Sequence, residues 1–195
     1  YEKMFIGEPI IYSAYLKDDD EKLRGIPDLL IRNDYVCELF TQNIPEIPSY
    51  KSNFGNYYYI PMEIKFSTVN LNHNDKINDS EDNRFLFYKT QLFTYCKILY
   101  KIQGVFPQYA FIIGKRTIKD NKIYNSLDYP GFVNYNSSDY KITDVFYRGL
   151  EWLRDVKING LNWDLNPSLY PNMKKYNHIY DKDKKEIAEF VGEIT

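Results

Sequence analysis

The segment 57–66 (YYYIPMEIKF) constrains the fold of this chain most, because it is rich in aromatic and branched residues and predicts a β-strand. Side chains alternate along a strand, so Glu63 and Lys65 are expected on one chemical face. The opposite face, predicted to enter the core, carries Met62, Ile64 and Phe66. Residues two apart on a strand lie about 7 Å from each other. We therefore expect Glu63 and Lys65 to serve one bound phosphate without forming a direct ion pair.

A second feature is the stretch Gly25-Ile26-Pro27-Asp28. Glycine and proline interrupt a regular ladder and permit a bulge, so the carboxylate of Asp28 is predicted to point into a cleft. Mg²⁺ prefers oxygen ligands and is usually held by one or two carboxylates, several waters and substrate phosphate oxygens. Asp28 and Glu63 meet that requirement, and the backbone carbonyl of Ile64 could add a third oxygen. In such a site Lys65 would orient the attacking nucleophile or neutralise developing charge.

A third feature is the segment 84–102 (RFLFYKTQLFTYCKILYKI), which lacks glycine and proline and predicts a long helix. Asp82 or Asn83 is a plausible N-cap. Gln91 and Tyr95 are one turn apart and face the same way, and Tyr88 extends that stripe.

Each of these features has a simpler explanation. An Asp after Gly-x-Pro is commonly a turn residue. A Glu-x-Lys pair on a strand is commonly a solvated edge with opposite charges. Tyr88 and Tyr95 could be core aromatic residues, with Gln91 at the surface. The functional interpretation therefore depends on finding all three features together.

In order and spacing, these motifs resemble the RecB-type branch of the PD-(D/E)xK nuclease superfamily. That family has an Asp after a Gly, an ExK strand and a following QxxxY helix. The matching residues here are Asp28, Glu63, Lys65, Gln91 and Tyr95. The similarity extends over most of residues 1–192 and includes the stretches GIPDLLIR and YKTQLFTYCKILYKIQG. RecB-like nucleases of large viruses and some bacteria are similar, and CRISPR-adaptation nucleases are the nearest well-known relatives of that type.

The resemblance implies an α/β fold with a restriction-endonuclease-like core, in which helices flank a mixed central sheet. It implies that Asp28 and Glu63 bind Mg²⁺ or Mn²⁺, with help from the carbonyl of Ile64, and that Lys65 is the catalytic lysine. Gln91, Tyr95 and Tyr88 would contact DNA or support the site. Residues 1–165 would form the nuclease core. Residues 166–195 would be a C-terminal extension, and the sequence would be a fragment of a larger protein.

Two departures from the family pattern affect the expected ligands. Many RecB-type enzymes carry a further His or Glu on a helix before the first strand, and the candidates here are Glu2 and Glu8. Several relatives hold an iron-sulfur cluster through four cysteines, whereas this chain has Cys37 and Cys96 alone. We therefore expect no iron-sulfur cluster in this segment.

Composition is typical of a globular protein, with 195 residues of which 44% are hydrophobic. No apolar run reaches the roughly 18 residues of a membrane span, and the chain does not start with a signal-peptide pattern. Two cysteines without framework spacing favour reduced thiols. These features predict an intracellular protein without a membrane partner, in the host cytoplasm or nucleus if the protein is viral.

The charge balance, with 25 basic and 27 acidic residues, is unusual for a protein that binds nucleic acid. Local basic clusters could supply the phosphate contacts, although solvated surface is the favoured interpretation of any one of them. The clusters comprise Lys97 with Lys101; Lys115, Arg116 and Lys119; and Lys174 with Lys175.

The remaining segments predict an alternation of strands and helices. Strands are expected at 9–18 and 23–32 as an antiparallel hairpin, at 35–40 as an edge strand, and at 108–114 as a buried strand. Helices are expected at 138–159 and 182–191. The segment 41–56 predicts a loop, and the polar segment 67–83 is either a lid over the cleft or a disordered connector.

Together these features predict a metal-dependent deoxyribonuclease that hydrolyses phosphodiester bonds, with the exonuclease character implied by the resemblance. Its partners would be DNA and a helicase or other repair or defence proteins. The alternatives are a catalytically silent DNA-binding or assembly module with a nuclease fold, and a restriction-type endonuclease.

Overall fold

The computed structural model describes residues 1–78 and 84–162. The chain divides into two compact units, Tyr1–Thr143 and Asp144–Thr195. The predicted core boundary at residue 165 and the predicted helix 182–191 lie outside the described residues. No helix in the described part of the chain is long and apolar enough to cross a membrane.

Helices and strands follow one another along the described residues, and the last helix continues from the first unit into the second. The helices are α1 (Glu2–Ile6), α2 (Val36–Leu39), α3 (Arg84–Gln103) and α4 (Lys141–Asn159). Short 3₁₀ turns occur at Asn33–Tyr35 and Gly160–Asn162. The strands are β1 (Ile10–Tyr12), β2 (Leu16–Asp18), β3 (Leu23–Gly25), β4 (Leu29–Arg32), β5 (Tyr59–Ile64), β6 (Thr68–Leu71), β7 (Tyr109–Ile113), β8 (Arg116–Lys119), β9 (Lys122–Tyr124) and β10 (Gly131–Asn134).

A mixed five-stranded sheet in the order β1-β4-β5-β7-β10 forms the centre of the first unit. The β5–β7 pair is parallel, and the other three pairs are antiparallel. A parallel pair needs a crossover connection, and α3 lies between these two strands in the chain and packs against both. The predicted α/β class with a mixed central sheet and helices is therefore confirmed.

The two faces of the sheet bury different partners. On one face Ile31, Ile60 and Phe111 are fully buried. They pack with α2 and with the loop that follows it. The alternating residues of β5, including Tyr59 and Glu63, face α3. Because β5 has neighbours on both sides, the simpler reading of Glu63 and Lys65 as part of a solvated edge strand is wrong.

The predicted hairpin is present, but it is divided into two parts. Its inner part pairs β2 with β3, in the register Leu16–Gly25, as a separate two-stranded sheet. Its outer part pairs β1 with β4, in the register Tyr12–Leu29, within the central sheet. Between them the amide of Ser13 donates to the carbonyl of Asp28 at 2.9 Å. Asp28 therefore lies at a break in the ladder, as the Gly-x-Pro pattern predicted.

Two predictions for other segments are wrong. The segment 35–40 is helical rather than an edge strand, because Val36 and Phe40 are buried one turn apart and the amide of Phe40 donates to the carbonyl of Val36. The polar segment 67–83 contains β6, which buries Val69 and pairs in parallel with β8. Residues 68–71 therefore form a paired strand and not a disordered connector, while residues 79–83 lie outside the described residues.

Other predicted elements are confirmed. The segment 41–56 contains no helix or strand. The helix predicted at 84–102 is α3, whose candidate N-caps Asp82 and Asn83 lie outside the described residues. It ends at Gln103 and is followed by Gly104, which adopts a left-handed conformation with φ of 75°. The strand predicted at 108–114 is β7. The helix predicted at 138–159 is α4, which starts three residues later than expected.

A buried amide fixes the end of α3 to the beginning of β5. Gln103 is fully buried, and its Oε1 accepts from the amide of Tyr59 at 2.8 Å. Its Nε2 donates to the carbonyls of Tyr59 at 3.1 Å and Val105 at 3.0 Å. All three hydrogen bonds of this side-chain amide are made to main-chain groups. They set the position of the helix along the strand.

We expect Gln103→Leu to lower the free energy of unfolding by about 1–3 kcal/mol, because it leaves the buried amide of Tyr59 without its acceptor. Urea denaturation measures this change. Gln108→Leu is the matched control, since Gln108 accepts from Asn136 in an exposed hydrogen bond. It should change the free energy by less than about 0.5 kcal/mol. Equal effects of the two substitutions would contradict this role of Gln103.

Candidate functional site

The fold brings Asp28 and Glu63 to the same end of two neighbouring strands. The last pair of the β4–β5 ladder is Leu29 with Met62. The next position beyond this pair is occupied by Asp28 before β4 and by Glu63 in β5. Oδ2 of Asp28 accepts a hydrogen bond from the amide of Ile64 at 2.7 Å. Asp28 is therefore not simply a turn residue, because its carboxylate accepts the hydrogen bond from Ile64 that a backbone carbonyl of a neighbouring strand would otherwise accept.

Glu63 is buried on the α3 side of the sheet and is 2% exposed. Its Oε2 lies 2.5 Å from Nζ of Lys65. The expectation that Glu63 and Lys65 would not form a direct ion pair is therefore wrong. The physical reason is that a desolvated carboxylate favours a charged partner, and the long side chains of Glu63 and Lys65 can reach each other because they lie on the same face of the strand.

The predicted core face of this segment is only partly correct. Met62 is buried, whereas Ile64 is 52% exposed and Phe66 is 88% exposed. These two side chains lie at or beyond the end of β5, where the sheet no longer covers them. The alternation itself is confirmed for Glu63 and Lys65, which both face α3.

A chain of hydrogen bonds links Lys65 to α3 and then to the break before Asp28. Nζ of Lys65 donates to Oε1 of Gln91 at 3.2 Å, and Nε2 of Gln91 donates to the hydroxyl of Tyr95 at 2.7 Å. The hydroxyl of Tyr95 donates to the carbonyl of Ile26 at 3.4 Å. Nζ of Lys65 also lies 4.9 Å from the ring centroid of Tyr88. The predicted stripe of Tyr88, Gln91 and Tyr95 therefore converges on Lys65.

Tyr95 combines a core position with a place in this chain of hydrogen bonds. It is 5% exposed, and burial raises the pKa of its phenol to about 12, with a smaller contribution from the charge of Glu63. The phenol is therefore a neutral donor at physiological pH. The reading of Gln91 as a surface residue is wrong, because both ends of its amide are engaged.

The sequence did not reveal how closely Gly25 approaches Tyr95. A Cβ atom added at Gly25 would lie 2.2 Å from Cε1 and 2.7 Å from Cδ1 of the Tyr95 ring. Glycine is therefore required here for space. The only signal was a glycine at the end of a strand, which identified a break but not the ring that fills it.

Buried polar atoms without partners occur at this end of β5. Among the described residues, the buried side-chain atoms that lack a hydrogen bond are Oε1 of Glu63 and Oγ of Ser67. Buried polar groups are nearly always paired in folded proteins. An unpaired carboxylate oxygen beside a second carboxylate is therefore the feature of this site that most needs explanation.

The donor set suits a hard cation, with fewer protein ligands than a closed metal site. The described residues contain no group of three or more His, Cys, Asp or Glu side chains that could hold a metal ion. Two carboxylates are nevertheless sufficient for Mg²⁺, which keeps several waters. The carbonyl of Ile64 lies on the same side of the strand as its amide, which contacts Asp28. Asp28, Glu63 and Ile64 thus fit the oxygen chemistry of Mg²⁺ or Mn²⁺.

The upstream carboxylates Glu2 and Glu8 do not complete this site. The hydroxyl of Tyr59 donates to the carbonyl of Glu8 at 2.8 Å and lies 3.5 Å from the carbonyl of Lys3 in α1. Both candidates therefore lie near the beginning of β5. Glu63 is four residues further along the strand, about 13 Å away.

Several lysines of the predicted basic clusters already have acidic partners. Lys101 pairs with Asp20 at 2.8 Å. Lys119 pairs with Asp75 and with the hydroxyl of Tyr129. Lys174 and Lys175 lie outside the described residues. The predicted phosphate-binding surface is therefore smaller than the sequence clusters suggested.

Both cysteines are unpaired thiols, with Cys37 exposed and Cys96 buried.

No protein-family model matches this sequence, and no curated protein is significantly similar to it.

We expect Gly25→Ala to lower the free energy of unfolding by about 1–3 kcal/mol, because the new methyl group overlaps the ring of Tyr95. The loss should shrink when Tyr95→Ala is present as well, since the overlapping ring atoms are then absent. Gly149→Ala is the matched control, because a Cβ at this helical glycine meets nothing within 4 Å. It should stabilise the protein by about 0.5–1 kcal/mol. Urea denaturation of the four variants measures these changes, and strictly additive losses would contradict the contact.

The stability of the metal-free protein should depend on the ionisation of Glu63. Burial raises the pKa of Glu63 above its ordinary value of 4.5, the charge of Asp28 adds to this rise, and Lys65 opposes it. The native carboxyl therefore holds its proton at pH values where the unfolded one has lost it, so the free energy of unfolding falls as pH rises through that window. Glu63→Gln removes this titration. The stability of Glu63→Gln relative to the wild type should therefore increase from about pH 4.5 upward and then level off.

Urea denaturation in EDTA between pH 4 and pH 8 measures this difference. Glu38→Gln, at an exposed position of α2, is the matched control and should give a curve parallel to that of the wild type. A parallel curve for Glu63→Gln as well would show that Glu63 has an ordinary pKa.

Proposed function

We propose that this protein is a metal-dependent deoxyribonuclease of the RecB type, with a restriction-endonuclease-like core. The single observation that supports this most is the meeting of Asp28, Glu63 and Lys65 at one end of the β4–β5 pair. Two carboxylates, one amine and an unpaired carboxylate oxygen form the donor set that phosphodiester hydrolysis uses.

The order of the elements also favours this proposal. A break carrying Asp28 precedes the strand that carries Glu63, and the next helix returns Gln91 and Tyr95 to the same end of that strand. The parallel strand β7 then follows α3. This is the arrangement that the motif order of the family requires, with the QxxxY helix behind the catalytic strand.

Asp28, Glu63 and the carbonyl of Ile64 would hold Mg²⁺ or Mn²⁺. When bound, the cation lowers the pKa of a water ligand and polarises the phosphoryl oxygens. Oε1 of Glu63 makes no hydrogen bond of normal geometry, although the hydroxyl of Tyr95 lies close enough to favour the charged carboxylate, whereas Oε2 is engaged by Lys65. The carboxylate can therefore supply an oxygen to a cation without giving up its ion pair.

The other residues would place a positive charge in the site and hold it in a fixed position. Lys65 places its ammonium where negative charge develops on a phosphate, and Gln91 holds that ammonium at a fixed point. Tyr88 lies over the same ammonium, and Tyr95 keeps its proton and fixes the amide of Gln91. DNA is the proposed substrate. A helicase or other repair or defence proteins are the proposed partners, inside the cell.

A catalytically silent DNA-binding or assembly module is the second candidate. It is favoured by the 2.5 Å contact between Lys65 and Glu63, since a lysine engaged in an ion pair is partly neutralised before any phosphate arrives. The unpaired Oε1 of Glu63 favours the enzyme, because a purely structural ion pair gains nothing from leaving that atom unsatisfied.

We expect the protein to degrade linear DNA in Mg²⁺ or Mn²⁺, and we expect Asp28→Asn, Glu63→Gln and Lys65→Met each to lower the rate at least about 100-fold. Glu38→Gln and Lys3→Met, at exposed positions, are the matched controls and should retain activity. Cleavage is measured on end-labelled linear DNA and on covalently closed circles. Digestion of the closed circles would favour a restriction-type endonuclease. Full activity in Glu63→Gln would show that the assigned site is wrong.

The silent module is distinguished by metal binding without cleavage. Mn²⁺ should raise the melting temperature of the wild type and should do so far less in Asp28→Asn and Glu63→Gln. DNA binding without hydrolysis in saturating Mn²⁺ would favour the silent module.

A further inference from the structure

An exposed aromatic ring follows directly after the candidate catalytic lysine. Phe66 is 88% exposed, and Lys65 precedes it. Two more exposed apolar side chains are close to site residues in the chain, Ile64 at 52% and Ile26 at 53%. The carbonyl of Ile26 contacts Tyr95, so this segment belongs to the same end of the sheet.

The backbone presents Phe66 on a tight and well-anchored turn. The amide of Lys65 donates to the carbonyl of Ile113 at 2.8 Å, and the amide of Ser67 donates to the carbonyl of Lys65 at 2.7 Å. The carbonyl of Ser67 accepts from the amide of Lys115 at 2.8 Å. Both sides of the turn are therefore tied to the end of β7, and the ring at its apex is held away from the core.

The close approach of these two segments supports this rigidity. A Cβ atom added at Gly114 would lie 2.7 Å from the carbonyl oxygen of Ser67 and 2.7 Å from Cγ2 of Val69. Glycine is therefore required at position 114 for space, because the turn packs directly against the end of β7.

A cation lies beside the same ring. Nζ of Lys115 is 4.8 Å from the ring centroid of Phe66. Within the described part of the chain Lys115 makes no ion pair, in contrast to Lys101 and Lys119. An exposed aromatic ring with an adjacent ammonium matches the two chemical needs of a nucleotide, which are a stacking surface for the base and a positive charge for the phosphate.

We propose that Phe66 and Lys115 bind an unpaired strand of DNA next to the Asp28–Glu63 site. This inference rests on the proposed function and adds a substrate class to it. In a duplex the bases are stacked on one another, so the ring could stack only on a terminal pair, whereas every base of a single strand offers a face. Phe66 directly follows Lys65 at the end of β5, so a strand whose base stacks on the ring would pass close to the end of the sheet that carries Asp28 and Glu63. The protein thus selects single-stranded or frayed ends.

The test measures binding of a fluorescein-labelled single-stranded 20-mer of thymidine in EDTA, so that no cleavage occurs. Phe66→Ala should weaken binding at least about fivefold, and Phe66→Trp should restore it. Lys115→Ala should weaken binding and reduce the salt dependence by about one phosphate contact. Phe5→Ala and Lys3→Ala, at exposed positions of α1 near the other end of β5, are the matched controls and should bind like the wild type. Blunt duplex DNA of the same length should be affected less than twofold by Phe66→Ala.

Cleavage of the same DNAs in Mn²⁺ separates this inference from the proposed function. If the wild type cleaves and Phe66→Ala keeps the same affinity and the same ratio of single-strand to duplex cleavage, the inference is overturned and the nuclease proposal stands. If the wild type does not cleave but loses single-strand affinity on Phe66→Ala and regains it on Phe66→Trp, the nuclease proposal fails and the binding surface stands. Equal losses in Phe66→Ala and Phe5→Ala would also overturn the inference, because they would show a general effect of removing an exposed ring.

Discussion

A buried carboxylate that requires a charged partner organises this end of the molecule. Glu63 lies on a strand with neighbours on both sides, so its side chain is held away from water on the α3 face. Burial of an isolated carboxylate is costly, and the ammonium of Lys65 offsets that cost. The positions of Gln91 and Tyr95 follow from this pair, because Gln91 contacts Lys65 and Tyr95 contacts Gln91. Gly25 then provides the space that the ring of Tyr95 occupies.

The helix α3 is fixed to β5 at both ends by side-chain amides. Gln103 contacts the main chain of Tyr59 at the beginning of the strand, and Gln91 contacts Lys65 just after its end. The two glutamines are twelve residues apart, which corresponds to about 18 Å along a helix. Two anchors at this separation determine both the position and the rotation of the helix. A shift of α3 by one residue would turn Gln91 about 100° away from Lys65, so the geometry of the site and the packing of the core are set by the same contacts.

Much of the fold follows from local patterns in the sequence. The strand around Glu63, the helix around Gln91 and the break before Asp28 were all predictable, because alternation, helical spacing and Gly-x-Pro act over a few residues. The strand β6 was missed because its buried residues Val69 and Leu71 are surrounded by polar ones. The segment 35–40 was assigned to the wrong class because short apolar runs fit both a strand and a helix.

The contacts within the candidate site were less predictable than the positions of its residues. The direct ion pair of Glu63 with Lys65 depends on burial by strands from other parts of the chain. The contact of Gly25 with Tyr95 joins residues seventy positions apart. Such contacts result from tertiary packing, which no local pattern encodes. The motifs therefore predicted which side chains meet, but they did not predict how those side chains satisfy one another.

The distribution of charge bears on the proposed binding of DNA, because the chain as a whole has a net charge of −2. Lys101 and Lys119 are neutralised locally by Asp20 and Asp75, so these two members of the predicted basic clusters add little positive charge to the surface. The positive charge that remains near the candidate site comes from Lys115, beside an exposed ring, and in part from Lys65. A protein with this distribution gains little from long-range attraction to duplex DNA, because screening at physiological salt acts over about 8 Å. Under the proposed function, affinity for DNA would therefore come from short-range contacts at the end of β5, and stacking on an exposed ring is a contact of that kind.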